Sequence, residues 1–150
     1  MESLFYHEGK RVNYAGLSDQ EKETVKKEKA KLAKELYSKL KNERTPQIID
    51  NGQHIEITYT SVGLDHFVND VLLVLSGKYF SRKSMMYVHK MLERSSYIPT
   101  SHKLRHPRTD GRNLWYMYAY PSSDGKVVYF KVTYNMMLKR YELYSVGDRR

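Results

Sequence analysis

The last third of the chain most constrains what it can fold into. Three segments there, Leu114–Tyr120, Lys126–Tyr134 and Arg140–Val146, are rich in tyrosine and valine, residues that suit a pleated, half-buried surface. Asp124-Gly125 separates the first two segments and Asn135–Lys139 the last two. Both links suit hairpins. Three strands joined in this way form an antiparallel meander, and a meander must bury its apolar face against a second layer.

The residues before the meander supply that layer. Ser18 and Glu21 have the spacing of a capping box, in which each side chain satisfies a backbone donor of the first turn. The spacing predicts a helix from Asp19 to about Asn42, roughly 36 Å long. Its first half, EKETVKKEKAK, is charged on nearly all sides, and its second half carries Leu32, Leu36, Tyr37 and Leu40. The expected helix docks by its C-terminal half and stands in solvent by its first. Pro46 ends this element. Asn51-Gly52 then marks a turn, and Ile55, Ile57 and Tyr59 alternate with His54, Glu56 and Thr58 as in a strand.

A second helix is predicted over Gly63–Leu75, where Leu64, Phe67, Val68, Val71, Leu72 and Leu75 form one buried stripe. Ser81 caps a third, from Arg82 to about Ser96, with Met85, Val88 and Leu92 on its apolar side. The fold class is therefore α+β. One long charged helix and two core helices pack on a mainly antiparallel sheet that ends in the three-strand meander. We expect an N-terminal segment over residues 1–45 and a compact α+β core over residues 46–150.

The longest apolar run, Val71–Leu75, falls far short of the roughly 18–20 residues of a membrane span. MESLFYHEGK has neither the basic start nor the apolar core of a signal peptide. The chain has no cysteine, which excludes disulfides and thiolate metal sites. The expectation is a cytoplasmic protein with no cofactor, no metal and no membrane contact.

Charge points to the partner. The 150 residues carry a net charge of +9, which favours polyanions. Residues 78–112 hold 9 lysines and arginines against 2 acids, so most of the excess sits there. On the third helix, Lys83, Tyr87, Lys90 and Arg94 recur at spacings of 4, 3 and 4, one basic stripe. The loop SHKLRHPRTDGR follows, with His102, Lys103, Arg105, His106, Arg108 and Arg112. Trp115, Tyr116 and Tyr118 come next and offer rings on which bases can stack.

His66 lies in the first turn of its helix, opposite the apolar stripe and four residues before Asp70. A histidine there can meet a phosphate and move a proton near neutral pH. Cleavage of RNA by 2′-hydroxyl attack needs a base, an acid for the leaving oxygen and cations around the phosphorane. His66, His102 or His106, and Arg105 or Arg108 would supply that set without metal. Lys83, Lys90, Arg94, Lys103, Arg112 and Trp115 would hold the strand. Thr133, Tyr134 and Ser145 are strand hydroxyls that would reach the same groove. His89 reads as a packed core-edge histidine.

The order of these pieces resembles a family. A helix opening GLDHFVND, a helix ending near MLERSSYI, the loop HKLRHPRTDGR before NLWYMYAY, and the hairpin GKVVYFKVTYN…KRYELYSV resemble the phage and polymorphic-toxin nuclease domains grouped with barnase, EndoU, colicin nucleases and RelE. The resemblance covers about Ile55 to Val146 and is one of arrangement. It implies helices packed on a four-stranded antiparallel sheet and metal-independent RNA cleavage. It aligns His66 with the histidine of the first core helix, and His102 or His106 with the polar residues leading into the meander. Two other readings fit the same charge: a non-catalytic nucleic-acid-binding module, and an interaction domain for an acidic protein such as an inhibitor.

Overall fold

The expected meander forms the centre of the sheet. A computed structural model of the chain describes residues 6–7, 10–11, 16–75, 78–103, 109–122 and 124–148, of which 6–7, 10–11, 100–103 and 113 are described by backbone alone. In chain order the elements are β1 (Tyr6–His7), β2 (Lys10–Arg11), α1 (Asp19–Leu40), β3 (Thr45–Ile49), β4 (Gln53–Thr58), α2 (Ser61–Asn69), α3 (Arg82–Met85), α4 (Val88–Arg94), β5 (Ser96–Lys103), β6 (Arg112–Pro121), β7 (Val127–Asn135) and β8 (Arg140–Gly147). β1 and β2 pair with each other, and the other six strands form one sheet in the order β3-β4-β8-β7-β6-β5. Among the described residues only the β4–β8 pair of this sheet is parallel, and its other four pairs are antiparallel. The architecture is α+β, with helices on one side of a mostly antiparallel sheet.

The local signals act as their chemistry dictates. Ser18 and Glu21 form both hydrogen bonds of the capping box at the start of α1. Asn51 (φ 60°) and Gly52 (φ 74°) carry the left-handed turn between β3 and β4. α1 buries more than its second half: Val25 joins Leu32, Ala33, Leu36 and Leu40 in the core, and Lys29 Nζ reaches Asn69 Oδ1 of α2 at 2.6 Å. Leu64, Phe67 and Val68 of α2, Val88 and Leu92 of α4, and Tyr118, Phe130, Val132 and Leu143 of the sheet complete the same cluster.

Three expectations change. The third helix is two short ones. The chain breaks at Tyr87, whose φ/ψ of −114° and 22° leave the helical region. The break keeps Met85, Val88 and Leu92 all buried against the sheet. The helix beginning at Ser61 widens into a π-helical turn over Asp70–Val74, and such turns recur at functional sites. Part of the basic loop is strand, because Ser96–Lys103 pairs with β6. Pro99 is tolerated on this outer strand, where the pairing slips between Ile98 and His102.

The sheet also curls. Its two ends approach each other, so that the Tyr118 hydroxyl of β6 donates to the Ile48 carbonyl of β3 at 2.8 Å and the Tyr97 hydroxyl of β5 to Asp50 at 2.5 Å. Gln47 Nε2 donates to the carbonyls of Leu92 and Ser95, both at 2.8 Å. Burial first, then the bond to Asp50, pushes the Tyr97 phenol above its ordinary pKa.

Candidate functional site

The site begins with an unusual contact, a helix laid against the edge of a strand. β8 pairs with β4 only at Tyr141 and Glu142. Beyond them α2 takes the place of the next strand. Gly63 makes this possible, since a Cβ there would lie 2.2 Å from the Leu143 carbonyl oxygen. An edge without a partner strand leaves backbone groups unpaired. The Val146 N–H is satisfied by Asp70, donating to Oδ2 at 3.3 Å.

The same Asp70 oxygen lies 3.1 Å from His66 Nδ1. An imidazole nitrogen beside a carboxylate carries its hydrogen there, so the neutral form of His66 has its lone pair on Nε2. The His66 side chain is 43% exposed and that of Asp70 9%. The imidazole is therefore anchored on one side and open on the other. A β-bulge fixes its plane. The β7–β8 register steps from Lys131↔Ser145 to Val132↔Leu143, leaving Tyr144 as the extra residue. The Tyr144 ring stacks on His66 with centroids 4.4 Å apart.

These groups border a cleft of about 570 Å³, lined also by Lys131, Ser145, Val74 and Asp148. Strand alternation places Lys131 and Ser145 on the face of the sheet opposite Phe130 and Val146, whose side chains join the core. One cleft thus holds an imidazole with a free lone pair, an ammonium and a hydroxyl, the parts of a proton-transfer site that holds an anion.

Beside the cleft, one row of paired residues crosses the sheet: His102 on β5, Trp115 on β6, Thr133 on β7, Glu142 on β8 and Thr58 on β4. The Trp115 ring meets Tyr144 edge-on at 5.1 Å. Its indole Nε1 is buried and has no acceptor among the described residues. Thr133 is fully buried and donates to the Leu114 carbonyl. Glu142 is fully buried too, and two arginines neutralise it: Arg112 Nε at 3.0 Å and Arg140 Nε at 2.7 Å.

Arg112 accordingly differs from the expectation of a strand-holding cation. It is buried, it also binds Asp110 at 3.1 Å, and its guanidinium lies 5.5 Å from the Tyr144 ring. A guanidinium committed to two carboxylates supports the sheet from below. Tyr116 and Tyr118 are likewise buried in the core. Lys83, Lys90 and Arg94 are exposed, but α3 and α4 lie on the helical side, so their stripe and the cleft occupy opposite layers. His102 and Lys103 are placed by register only, opposite Trp115 and Leu114. Arg105, His106 and Arg108 lie outside the described residues. His89 is the core-edge residue expected; burial holds its imidazole below the ordinary pKa, and Nδ1 has no partner among the described residues.

The sequence reading missed Lys131, Asp148 and the carboxylates of the ion network. A signal existed for one: Lys131 is the single charge within VVYFKVTY. Among the described residues no cluster of three His, Asp or Glu side chains could hold a metal ion, and no helix is long and apolar enough to cross a membrane. Comparison with protein-family models, with curated proteins and with solved structures finds no match to this chain.

Proposed function

We propose that the chain is a ribonuclease-like domain that cleaves single-stranded RNA without metal. The observation that supports this reading best is the His66–Asp70 pair on the wall of a cleft that also holds Lys131 and Ser145. In the reaction, His66 Nε2 takes the proton from a ribose 2′-hydroxyl. The freed oxygen attacks the adjacent phosphorus, the bond to the 5′-oxygen breaks, and an acid returns a proton to that leaving oxygen. The products are a 2′,3′-cyclic phosphate and a 5′-hydroxyl. His106 or His102 would serve as the acid. Lys131, with Arg105 and Arg108, would balance the charge that builds on the phosphorane.

The test is cleavage of a fluorescent single-stranded RNA in excess chelator by wild type, His66→Ala and His106→Ala. We expect chelator-resistant cleavage that falls about 10²- to 10⁴-fold in His66→Ala, the usual contribution of a positioned base. Salt-sensitive binding by all three proteins with no cleavage would replace this reading with a non-catalytic nucleic-acid-binding module. Negligible RNA affinity beside a stoichiometric complex with an acidic protein would make it an interaction domain.

A further inference from the structure

The cations of the helical layer stand beside a second concavity, which the cleft does not share. It measures about 560 Å³ and is walled by Tyr79, Tyr87, Met91 and Tyr120, with the hydroxyls of Ser84 and Ser122 among its lining. Val128 also lines it, and Lys131 lines the cleft. The two are three residues apart on β7, so alternation turns them to opposite faces.

Three features point to a ligand. Tyr87 is 44% exposed, and two ammonium groups lie against its ring: Lys39 Nζ at 3.8 Å and Lys90 Nζ at 5.9 Å from the centroid. Lys83 adjoins Ser84 in sequence and is exposed. Tyr79 holds a φ of 69°, in the left-handed region that an aromatic residue rarely adopts, and strain of that kind concentrates at binding sites. The volume falls within the roughly 300–1,000 Å³ of small-molecule sites. Aromatic walls suit the flat face of a nucleobase, and lysines around them suit the phosphates on either side. A bare anion would leave the tyrosines unused, and an apolar ligand would leave the lysines unused.

We propose that this pocket is an exosite for one base of single-stranded RNA, with the flanking phosphates on Lys39, Lys83 and Lys90. The choice of RNA rests on the ribonuclease reading; the capture of a base with its phosphates rests on the pocket itself. A strand that fills both the pocket and the cleft passes around the domain, so affinity rises with length beyond what the cleft alone provides.

The test uses a labelled RNA of about 12 nucleotides, within the span of single-strand sites. Its 2′-oxygens are methylated so that no attack can occur, and binding is read by anisotropy apart from cleavage. The proteins are wild type, Tyr87→Ala, Tyr87→Phe and Lys39→Gln/Lys90→Gln. All three altered side chains are exposed, and thermal melts verify that the variants fold. Tyr87→Ala is expected to weaken binding about fivefold or more, and Tyr87→Phe to keep it. The lysine pair is expected to lower the slope of log affinity against log salt by about 1.4. Unchanged affinity in Tyr87→Ala overturns the proposal, even where the lysine variant loses affinity, since a charged surface without a base pocket remains. A wild type that does not bind RNA overturns it as well. Binding with the expected pattern but no cleavage of ordinary RNA keeps the exosite and removes the ribonuclease reading.

Discussion

The cleft on β8 and the pocket beneath α3 and α4 have nearly equal volumes, about 570 and 560 Å³, yet they are made of opposite materials. In the cleft the polar groups are fixed by others. Asp70 binds both a backbone N–H and His66, Tyr144 stacks on that imidazole, and Arg112 and Arg140 hold the buried Glu142 next to it. In the pocket the walls are tyrosine rings, and the charges are exposed lysines on flexible stems. Pinned groups suit proton transfer, which tolerates little misplacement. Rings and mobile cations suit sequence-tolerant holding of a strand. Substitutions around the cleft should therefore cost stability or rate, and those of the exposed Tyr87, Lys39 and Lys90 beside the pocket should cost RNA affinity alone.

The largest expected effect is at Arg112. Arg112→Ala leaves Glu142 buried with only Arg140 beside it, and urea denaturation should record a loss of about 3–5 kcal/mol. A stable variant with a shallower salt dependence of RNA binding would instead make Arg112 a phosphate contact and blur the distinction. Next is Asp70→Asn, whose one carbonyl oxygen still accepts from Val146 N–H and His66 Nδ1 but no longer carries the charge that stabilises the imidazolium formed when His66 takes a proton. We expect cleavage to fall about 10²-fold with little change in stability. Equal rates would reduce the His66–Asp70 pair to a structural tie.

Gly63→Ala should follow. Its new methyl collides with the Leu143 carbonyl, and forcing α2 away costs about 1–3 kcal/mol. Because His66 is one turn further along the same helix, cleavage should fall with stability. The smallest effect belongs to the helical layer. Burial holds the folded His89 pKa below its ordinary value. The unfolded chain then binds a proton first as the pH drops below about 6.5. Stability is complete above that pH and declines as the pH falls toward the lower folded value. His89→Gln should flatten the decline in pH-dependent denaturation curves.

What the sequence made legible was local chemistry. The Ser18–Glu21 box, the Asn51-Gly52 turn, the stripe of α2 and the three meander strands each depend on neighbours within a few residues, and their boundaries lie within about two residues of expectation. The pairing of His66 with Asp70 was visible for the same reason, being one helical turn apart. Distant partners were not visible. Arg112 looked like every other arginine of its loop because Glu142, which buries it, lies 30 residues away. Lys131 joins His66 only through the register of β7 on β8 and the contact of α2 with a strand edge. β5 was hidden by Pro99, which argues against a strand unless the strand is known to be outermost.

The two-residue join between β4 and β8 has a further consequence. Every other junction in the sheet is a longer ladder, so this one is a seam. The β3–β4 hairpin on its far side is held besides by the core burial of Ile49, Ile55 and Ile57 and by side-chain hydrogen bonds, from Thr58 to Tyr141 across the seam, from Tyr97 and Tyr118 of the distal strands, and from Gln47 to the end of α4, each bond worth about 0.5–1.5 kcal/mol net. Thermal breathing should concentrate along that seam. The β4 amides that point toward β8 would trade hydrogen for deuterium well before those of Phe130 and Val132, and the hairpin would lift as a flap while the meander stays closed.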